Sequence, residues 1–438
     1  MTERKVNVGV LGCGNVGAAL VSLVENRADE VAARTGVRLE VTRVAVRSLT
    51  RTRPIHLADS VLTREAGSVV ADPSVDVVVE VIGGIEPARE LILAALAAGK
   101  PVVTANKELL ANHGAELYQA ARMAEVDLLF EAAVAGGIPI LRPLRESLVG
   151  EDVRRIMGIV NGTTNFILTA MSEHGTSYAE ALAEAQQLGF AERDPTADVD
   201  GFDAGAKAAI LASIAFGAKV VAGDVYHEGI SAITATDIAF AARLGYVVKL
   251  LAVAELVTVA DGPDEVAVRV HPAMVPLTHP LAGVRESFDA VFVEGAAVGD
   301  LMFYGRGAGG DPTASAVLGD LVDAAVNLDK KTYASLPALV RRPIRPIDEL
   351  HSSYYVNLDV VDRPGVLRAV AEVFERHAVS IRSLEQEGVG ADARLIFITH
   401  QAREADVQAT LDDLRLLDVI HHITSVLRVI GDDAAPRA

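Results

Sequence analysis

Apolar residues come in short bursts along this chain, and the bursts change period in a regular way. Val6-Asn7-Val8-Gly9-Val10-Leu11 is a β-branched run, and Ala18 to Glu25 is apolar on a helical period; Gly12-Cys13-Gly14-Asn15-Val16-Gly17 lies between them. The exchange repeats with strands over 39–46, 75–82, 102–104 and 128–132 and helices over 86–98 and 108–123. Short apolar runs bounded by Gly or Pro suit strands buried on both faces. Repeated βα units of this size build a parallel sheet wound with helices on both sides, so an α/β unit is expected over residues 1–132.

From about Glu131 the alternation stops. Gly136-Gly137-Ile138-Pro139-Ile140 interrupts it, and Asn161-Gly162-Thr163-Thr164-Asn165 opens a helix in the manner of a polar N-cap. A helix over 178–188 ends on Gly189, strands are expected over 247–259 and 266–270, and the loop 303–310 introduces a helix over 313–327. Residues 133–330 thus read as a second, α+β unit, with the helix in 310–330 returning to pack on the first. Pro337, Pro343 and Pro346, with arginines between them, mark 331–353 as a linker. Beyond it, 354–430 reads as a self-contained βαββαβ unit: strand 354–360, helix 366–377, strands 381–387 and 394–399, helix 404–414 and strand 423–430. The tail 431–438 is expected to be disordered.

With 438 residues, the chain needs two or three cores. No apolar run approaches the ~20 residues that span a bilayer, and Met1 to Lys5 carries no apolar signal core. A soluble cytoplasmic protein without a membrane partner is expected. A net charge of −19 repels phosphate backbones and anionic lipid, which excludes general nucleic-acid binding. The single cysteine, Cys13, rules out an internal disulfide or a Cys-based zinc cluster.

Charge of this sign makes the few basic and glycine-rich spots informative. In Gly12, Gly14 and Gly17, with Asn15 and Val16 between, a strand, a glycine turn and a helix follow in order; this is the Rossmann-type arrangement that lets a dinucleotide pyrophosphate approach the backbone at a helix start. Arg47 and Ser48, with Arg51 and Arg53 behind them, close the strand at 39–46, where an NAD site would want an acid. They suit a 2′-phosphate and favour NADP, with NAD still possible; a solvated basic loop is the alternative. Gly83-Gly84 and Asn106-Lys107 also follow strand ends, on the ligand edge of such sheets. Lys107 stands where a helix dipole disfavours a cation, which points to a ligand role beside the plainer one of a solvent-facing residue.

The densest chemistry is in 189–207, where Glu192, Asp194, Asp198, Asp200 and Asp203 precede Lys207, itself followed by the apolar stretch 208–218. Asp203 and Lys207 are four apart and share a helical face. An exposed i,i+4 pair is ordinary, but an ion pair at the head of an apolar helix is either partnered or working. Asp194, Asp198 and Asp200 also resemble part of a calcium loop, without the rest of its ligand pattern.

Together, these segments resemble the homoserine dehydrogenase family in its longer bacterial form, which ends in an ACT domain. The resemblance runs over nearly the whole sequence: the glycine loop at Gly12, Thr104 to Lys107, Glu131 to Pro139, Asn161 to Asn165, Glu192 to Lys207, and Tyr354 to Glu387. The central segment is specific, whereas the glycine loop and the ACT pattern occur in many unrelated enzymes. The family interconverts L-homoserine and L-aspartate 4-semialdehyde with NAD(P), on the route to threonine, isoleucine and methionine. The resemblance implies that residues 133–330 form the catalytic and dimerisation domain, with a homodimer or homotetramer as the assembly. By the same resemblance, Lys207 matches the proton donor and Lys107 a lysine beside nicotinamide and substrate. Glu192 and Asp203, with Asn161 and Gly162, match the substrate pocket, and Gly189 and Gly309 join the cofactor site. Glu131, Val134, Gly136 and Ile138 match the positions whose oxygens, mainly backbone, hold a monovalent cation, usually sodium.

In the ACT unit, Asp362, Arg363, Gly365, Val366 and Leu367 form a turn at a helix start that suits an amino-acid carboxylate, with L-threonine as the expected effector. A plain dimerisation domain is the other reading of that unit. Two other functions compete. A phosphorylating semialdehyde dehydrogenase needs a cysteine nucleophile, and Cys13 lies in the pyrophosphate loop, away from the substrate. A non-catalytic cofactor and amino-acid sensor would leave Glu192, Asp203 and Lys207 without a task.

Overall fold

The computed structural model describes residues 3–55, 57–334, 336–388 and 393–431, so all but the first residue of the tail expected to be disordered lies outside the described residues. The first unit contains β1 (Arg4–Leu11), α1 (Asn15–Thr35), β2 (Val37–Ala45), β3 (Leu62–Thr63), α2 (Ala66–Ala71), β4 (Val77–Glu80), α3 (Ala88–Ala97), β5 (Val102–Thr104), α4 (Lys107–Ala124) and β6 (Leu128–Leu129). The sheet runs β3-β2-β1-β4-β5-β6, all parallel. Strand order reverses between β1 and β4, and the Gly12–Gly17 loop sits at that switch point. Helix α1 runs ten residues beyond the expected end at Glu25. The polar continuation is held by Arg27–Glu30 and Arg34–Glu30 pairs and stops at left-handed Gly36.

The second unit follows with β7 (Val153–Ile159), α5 (Gly162–His174), α6 (Tyr178–Gln187), α7 (Thr196–Val199), α8 (Phe202–Phe216), β8 (Tyr226–His227), α9 (Ala235–Arg243), β9 (Tyr246–Val257), β10 (Glu265–Pro276), β11 (Phe288–Gly295), β12 (Gly299–Arg306) and α10 (Gly310–Lys330). Antiparallel pairing orders its strands β12-β11-β7-β9-β10. Strands β7, β11 and β12 and helix α9 were not expected, and β12 occupies part of the stretch read as a glycine-rich loop. The apolar body of α8 is buried against this sheet, with Ala208, Ala209, Ile210, Leu211 and Ala212 all nearly inaccessible. Helix α10 returns to the first sheet, where Val317, Leu321 and Ala324 join the same core as Val8, Val10 and Leu20.

The third unit comprises β13 (His351–Val360), α11 (Val366–Arg376), β14 (Ile381–Glu387), β15 (Arg394–Thr399), β16 (Ala402–Arg403), α12 (Glu404–Arg415) and β17 (Ile420–Val429). It is not self-contained. Strand β17 pairs parallel with β10 through Ala273↔Arg428 and Met274↔Val429, so one 11-stranded sheet, β12-β11-β7-β9-β10-β17-β13-β15-β14, runs through both units. Nor is 331–353 a free tether: Val340 bonds with Gly217 and Lys219, while Pro343 and Arg345 bond with Val266. The far edge of β10 is therefore covered in three pieces, by Ile344 at Val266, by β8 at Arg269 and Val270, and by β17 at Ala273 and Met274. At this seam Arg428 is buried, with Glu404 of α12 at 2.8 and 3.0 Å and Glu228 at 2.6 Å.

Candidate active site

Gly12 carries a φ of 103°, and a Cβ there would press on the Val81 carbonyl, so the turn needs glycine. A Cβ at Gly17 would overlap the Gly12 carbonyl, whereas one at Gly14 would meet nothing within 4 Å. Gly14 is thus open to an approaching group, and it caps α1 with no side chain bonding the helix amides. Gly309, with φ 117°, caps α10 in the same uncapped way, and a Cβ at Gly310 would touch the Asn15 carbonyl at 3.4 Å. Two helix N-termini that lack a side-chain cap therefore lie close together. That fits a dinucleotide pyrophosphate, which such ends attract through N–H groups and dipole together. Arg47 and Ser48 follow the end of β2, and Gly12 N–H bonds the Ala45 carbonyl, which brings that strand end beside the glycine loop. Arg47 is exposed, and Arg53 turns inward to bond the Ser48 carbonyl at 2.5 Å.

Glu80, fully buried at the end of β4, was not singled out in the sequence. It accepts from the amides of Ile82 and Gly83 and from Thr104 Oγ1 at 2.6 Å, while Asn106 Nδ2 bonds the Gly84 carbonyl. This fixes the Gly83-Gly84 turn relative to the head of α4, which Asn106 caps, and so fixes where Lys107 starts.

Lys107 and Lys207 grip the same carboxylate from two helices. Lys207 Nζ donates to Asp203 Oδ2 at 2.8 Å and to the Val160 carbonyl at 2.5 Å, and Lys107 pairs with Asp203 Oδ1. Asn161 caps α5 through its Oδ1 and turns its Nδ2 to Asp203 Oδ2 at 2.9 Å and Asp198 Oδ1 at 2.7 Å. Gly162 follows because a Cβ there would press on the Ser287 carbonyl at 2.7 Å.

Burial opposes charge on Asp203, but the two lysines outweigh it and hold the carboxylate well below its usual range. Burial likewise works against charge on Lys207; Asp203, Asp289 and Asp198 outweigh it and raise its pKa above the ordinary lysine value. Asp198 is raised, chiefly by burial against the pull of its Asn161 hydrogen bond. Among the described residues, two of the three Lys207 N–H groups have partners, and the ammonium lines a cavity of about 1220 Å³. Lys107, Asn161, Gly162, Gly189, Glu192, Asp203 and Gly309 line it too. That volume exceeds what a small amino-acid substrate fills and leaves room for part of a cofactor. Glu192 stands exposed at the rim.

The calcium reading fails. Asp194 closes a local turn on Thr196, Asp198 is engaged by Asn161, and among the described residues no group of three His, Cys, Asp or Glu could hold a metal. Glu131, Val134, Gly136 and Ile138 are each buried, with Gly137 exposed between the last two and Ala135 and Gly136 both left-handed. The Glu131 carboxylate is filled by the amides of Ile140, Leu141 and Arg142, at 2.5 to 2.8 Å, so main-chain oxygens are what the turn can offer a cation. That donor set suits a weakly held monovalent ion better than a divalent one. In the third unit, Gly365 caps α11 at φ 93° without a side-chain bond, Asp362 and Leu367 are exposed, Val366 is buried, and Arg363 pairs with Asp418 at 2.9 Å.

Comparisons with known proteins give the family. The homoserine dehydrogenase family matches residues 139–322, the homoserine dehydrogenase NAD binding domain matches 12–131, and the ACT domain matches 354–416. Homoserine dehydrogenase of Corynebacterium glutamicum is 51% identical over 434 residues, covering 98% of this chain and 96% of that protein. The crystal structure of a homoserine dehydrogenase from Thiobacillus denitrificans superposes with a TM-score of 0.91 at 40% identity, over 97% of this chain and 98% of that one. A hyperthermophilic archaeal homoserine dehydrogenase mutant, solved in complex with NADPH, gives a TM-score of 0.62 at 30% identity over 74% of this chain and 98% of that one.

Proposed function

The chain belongs to the homoserine dehydrogenase family of oxidoreductases acting on a CH–OH group with a nicotinamide cofactor, and from that premise we propose that it works with NADP and that Lys207 is the group that exchanges the proton. The observation that carries this reading is the buried Lys207 ammonium, anchored by Asp203 and Val160 with one N–H left for the cavity.

When bound, the cofactor supplies the hydride in one direction and takes it in the other. Reduction of L-aspartate 4-semialdehyde puts negative charge on the aldehyde oxygen. Lys207 Nζ gives that oxygen a proton, and the neutral amine regains one from water in the cavity. In homoserine oxidation the neutral amine takes the hydroxyl proton instead. Lys107 stabilises the developing charge from the other side of Asp203. Asn161 and Asp203 fix the lysines, and Glu192 and Asp203, with the Asn161-Gly162 loop, hold the amino-acid end of the substrate.

Arg47 and Ser48 are the proposed partners of the 2′-phosphate, a reading supported by the NADPH complex of the archaeal relative. A monovalent cation, sodium by the family resemblance, would be held by the oxygens of Glu131, Val134, Gly136 and Ile138 and would stiffen the turn between the first two units. The ACT unit is proposed to bind L-threonine at Asp362 to Leu367, and the protein to act as a homodimer or homotetramer on the route to threonine, isoleucine and methionine.

The test is Lys207→Ala. We expect homoserine turnover with NADP to fall by roughly 10²- to 10⁴-fold, the range of a lost general acid–base group, with NADP binding near normal. A fall of less than tenfold, with NADP still bound, overturns the assignment.

A further inference from the structure

One charged group in the cavity wall has no place in the proposed chemistry. Asp289 is the second residue of β11 and is 1% exposed, and its Oδ1 is buried with no hydrogen-bond partner among the described residues. A carboxylate so placed is costly unless something depends on it. The neighbouring backbone is shaped to admit it. Gly307 does not have a positive φ, yet a Cβ there would overlap the Asp289 carboxylate, so the missing side chain at 307 makes room for the aspartate where it stands and is not needed by the turn.

The charged groups that act on Asp289 are Lys207 and Asp203 on α8 and Lys107 at the head of α4; Asp198 on α7 and Arg306 at the end of β12, which lies over the Phe288 ring at 5.1 Å, line the same cavity. Asp203 is held between the two lysines and Asp198 by Asn161, whereas Asp289 has a buried oxygen left over.

We propose that Asp289 is a positioning residue for Lys207: its carboxylate, in the wall of the same cavity with one buried oxygen left unpartnered among the described residues, holds the lysine ammonium in place as the group that gives its proton. The inference rests on the assignment of Lys207 as proton donor. Burial raises Asp289 to about 7, against the opposing pull of Lys207, so the group is an anion throughout the range in which an ammonium begins to titrate. Its charge then favours the protonated lysine.

The sign follows. Aldehyde reduction needs Lys207 protonated and is lost as pH rises past the lysine's pKa, whereas homoserine oxidation needs it neutral and is gained over the same interval. Removing the Asp289 charge lowers that pKa, so both limbs move to lower pH by the same amount.

The experiment measures kcat against pH in both directions for the unmodified protein, Asp289→Asn and Lys207→Ala, with NADP binding and thermal unfolding recorded for each. Asp289→Asn should keep its activity on the acidic plateau of aldehyde reduction and shift both limbs down by about one pH unit, a roughly tenfold loss of reduction on the alkaline side. Gly307→Ala, whose new methyl displaces the carboxylate, should shift them the same way and carries the test if Asp289→Asn does not fold. Limbs that stay in place in a folded Asp289→Asn, or a loss of kcat equal at every pH, overturn the positioning role. If Lys207→Ala retains the alkaline limb, the limb is not the lysine's and the proton-donor assignment fails too. A limb lost in Lys207→Ala but unmoved in Asp289→Asn defeats the Asp289 inference alone.

Discussion

Two clusters of buried charge in this molecule differ in how completely they are paired. At the seam between the second and third units, each terminal nitrogen of the Arg428 guanidinium has a carboxylate oxygen, Glu404 is gripped on both of its oxygens, and Tyr354 closes the group by donating its hydroxyl to Glu404. At the head of α8 the residues are of the same kind, but Lys207 keeps an N–H for the cavity and Asp289 keeps an oxygen. A saturated ionic cluster holds parts together. One with spare capacity in an accessible hollow can bind and exchange protons. What separates the two clusters is the number of valences left over, and not burial or the direction of the pKa shifts, since Glu404 and Glu228 raise Arg428 against its own burial just as the neighbouring acids raise Lys207.

The contrast can be broken most directly at Arg428. Arg428→Met leaves Glu404 and Glu228 with uncompensated charge and should cost about 3 to 5 kcal/mol of stability, read by denaturant unfolding, while kcat of the folded fraction stays near that of the parent. Adding Glu404→Leu should restore much of the loss, because removing both members of a buried pair is far less costly than removing one. A deep fall in kcat without loss of stability would mean that the seam belongs to the active site. The nucleotide edge offers a second, smaller effect. Arg47→Asp replaces a phosphate partner by a group that repels phosphate and accepts from a ribose hydroxyl, and it should change the ratio of kcat/KM for NADP over NAD by at least roughly tenfold, toward NAD; an unchanged ratio makes Arg47 a solvated residue. The smallest effect is regulatory. Threonine should inhibit the parent, Asp362→Ala should raise the concentration needed for half inhibition, and Arg428→Met should blunt the response without altering threonine binding, measured by calorimetry. Equal inhibition in all three would uncouple both the Asp362 turn and the seam from catalysis.

Much of this was legible from residues near one another in the chain. The Gly12 loop, β5, β14 and β15 follow from local runs, and the Asp203–Lys207 spacing on a helix announced its own pair. Strand β12 did not, because as a half-exposed strand it alternates Leu301 and Phe303 with Met302 and Tyr304, and the glycines after it drew the reading toward a loop. In β7, Arg154 and Arg155 interrupt the apolar run; Arg155 is satisfied by Glu294, far off in sequence. Asp289 carried no local signal at all. Its setting depends on Gly307 and Lys207, which only the folded sheet brings to it. The continuity of the sheet was invisible for the same reason, since the two residue pairs that join β10 to β17 lie more than 150 positions apart.

That seam also dictates an order of events during synthesis. Every residue of the proposed active site is made before residue 310, yet β10, at the middle of the great sheet, still has an open stretch at Ala273 and Met274 that only Arg428 and Val429 will cover. The nascent chain must therefore carry a chemically complete but unsealed catalytic unit through the making of more than a hundred further residues. Unpaired strand edges recruit other strands. A stop codon shortly before Arg428, far from any group proposed to touch substrate, should for that reason deliver its product to aggregates before it delivers an enzyme.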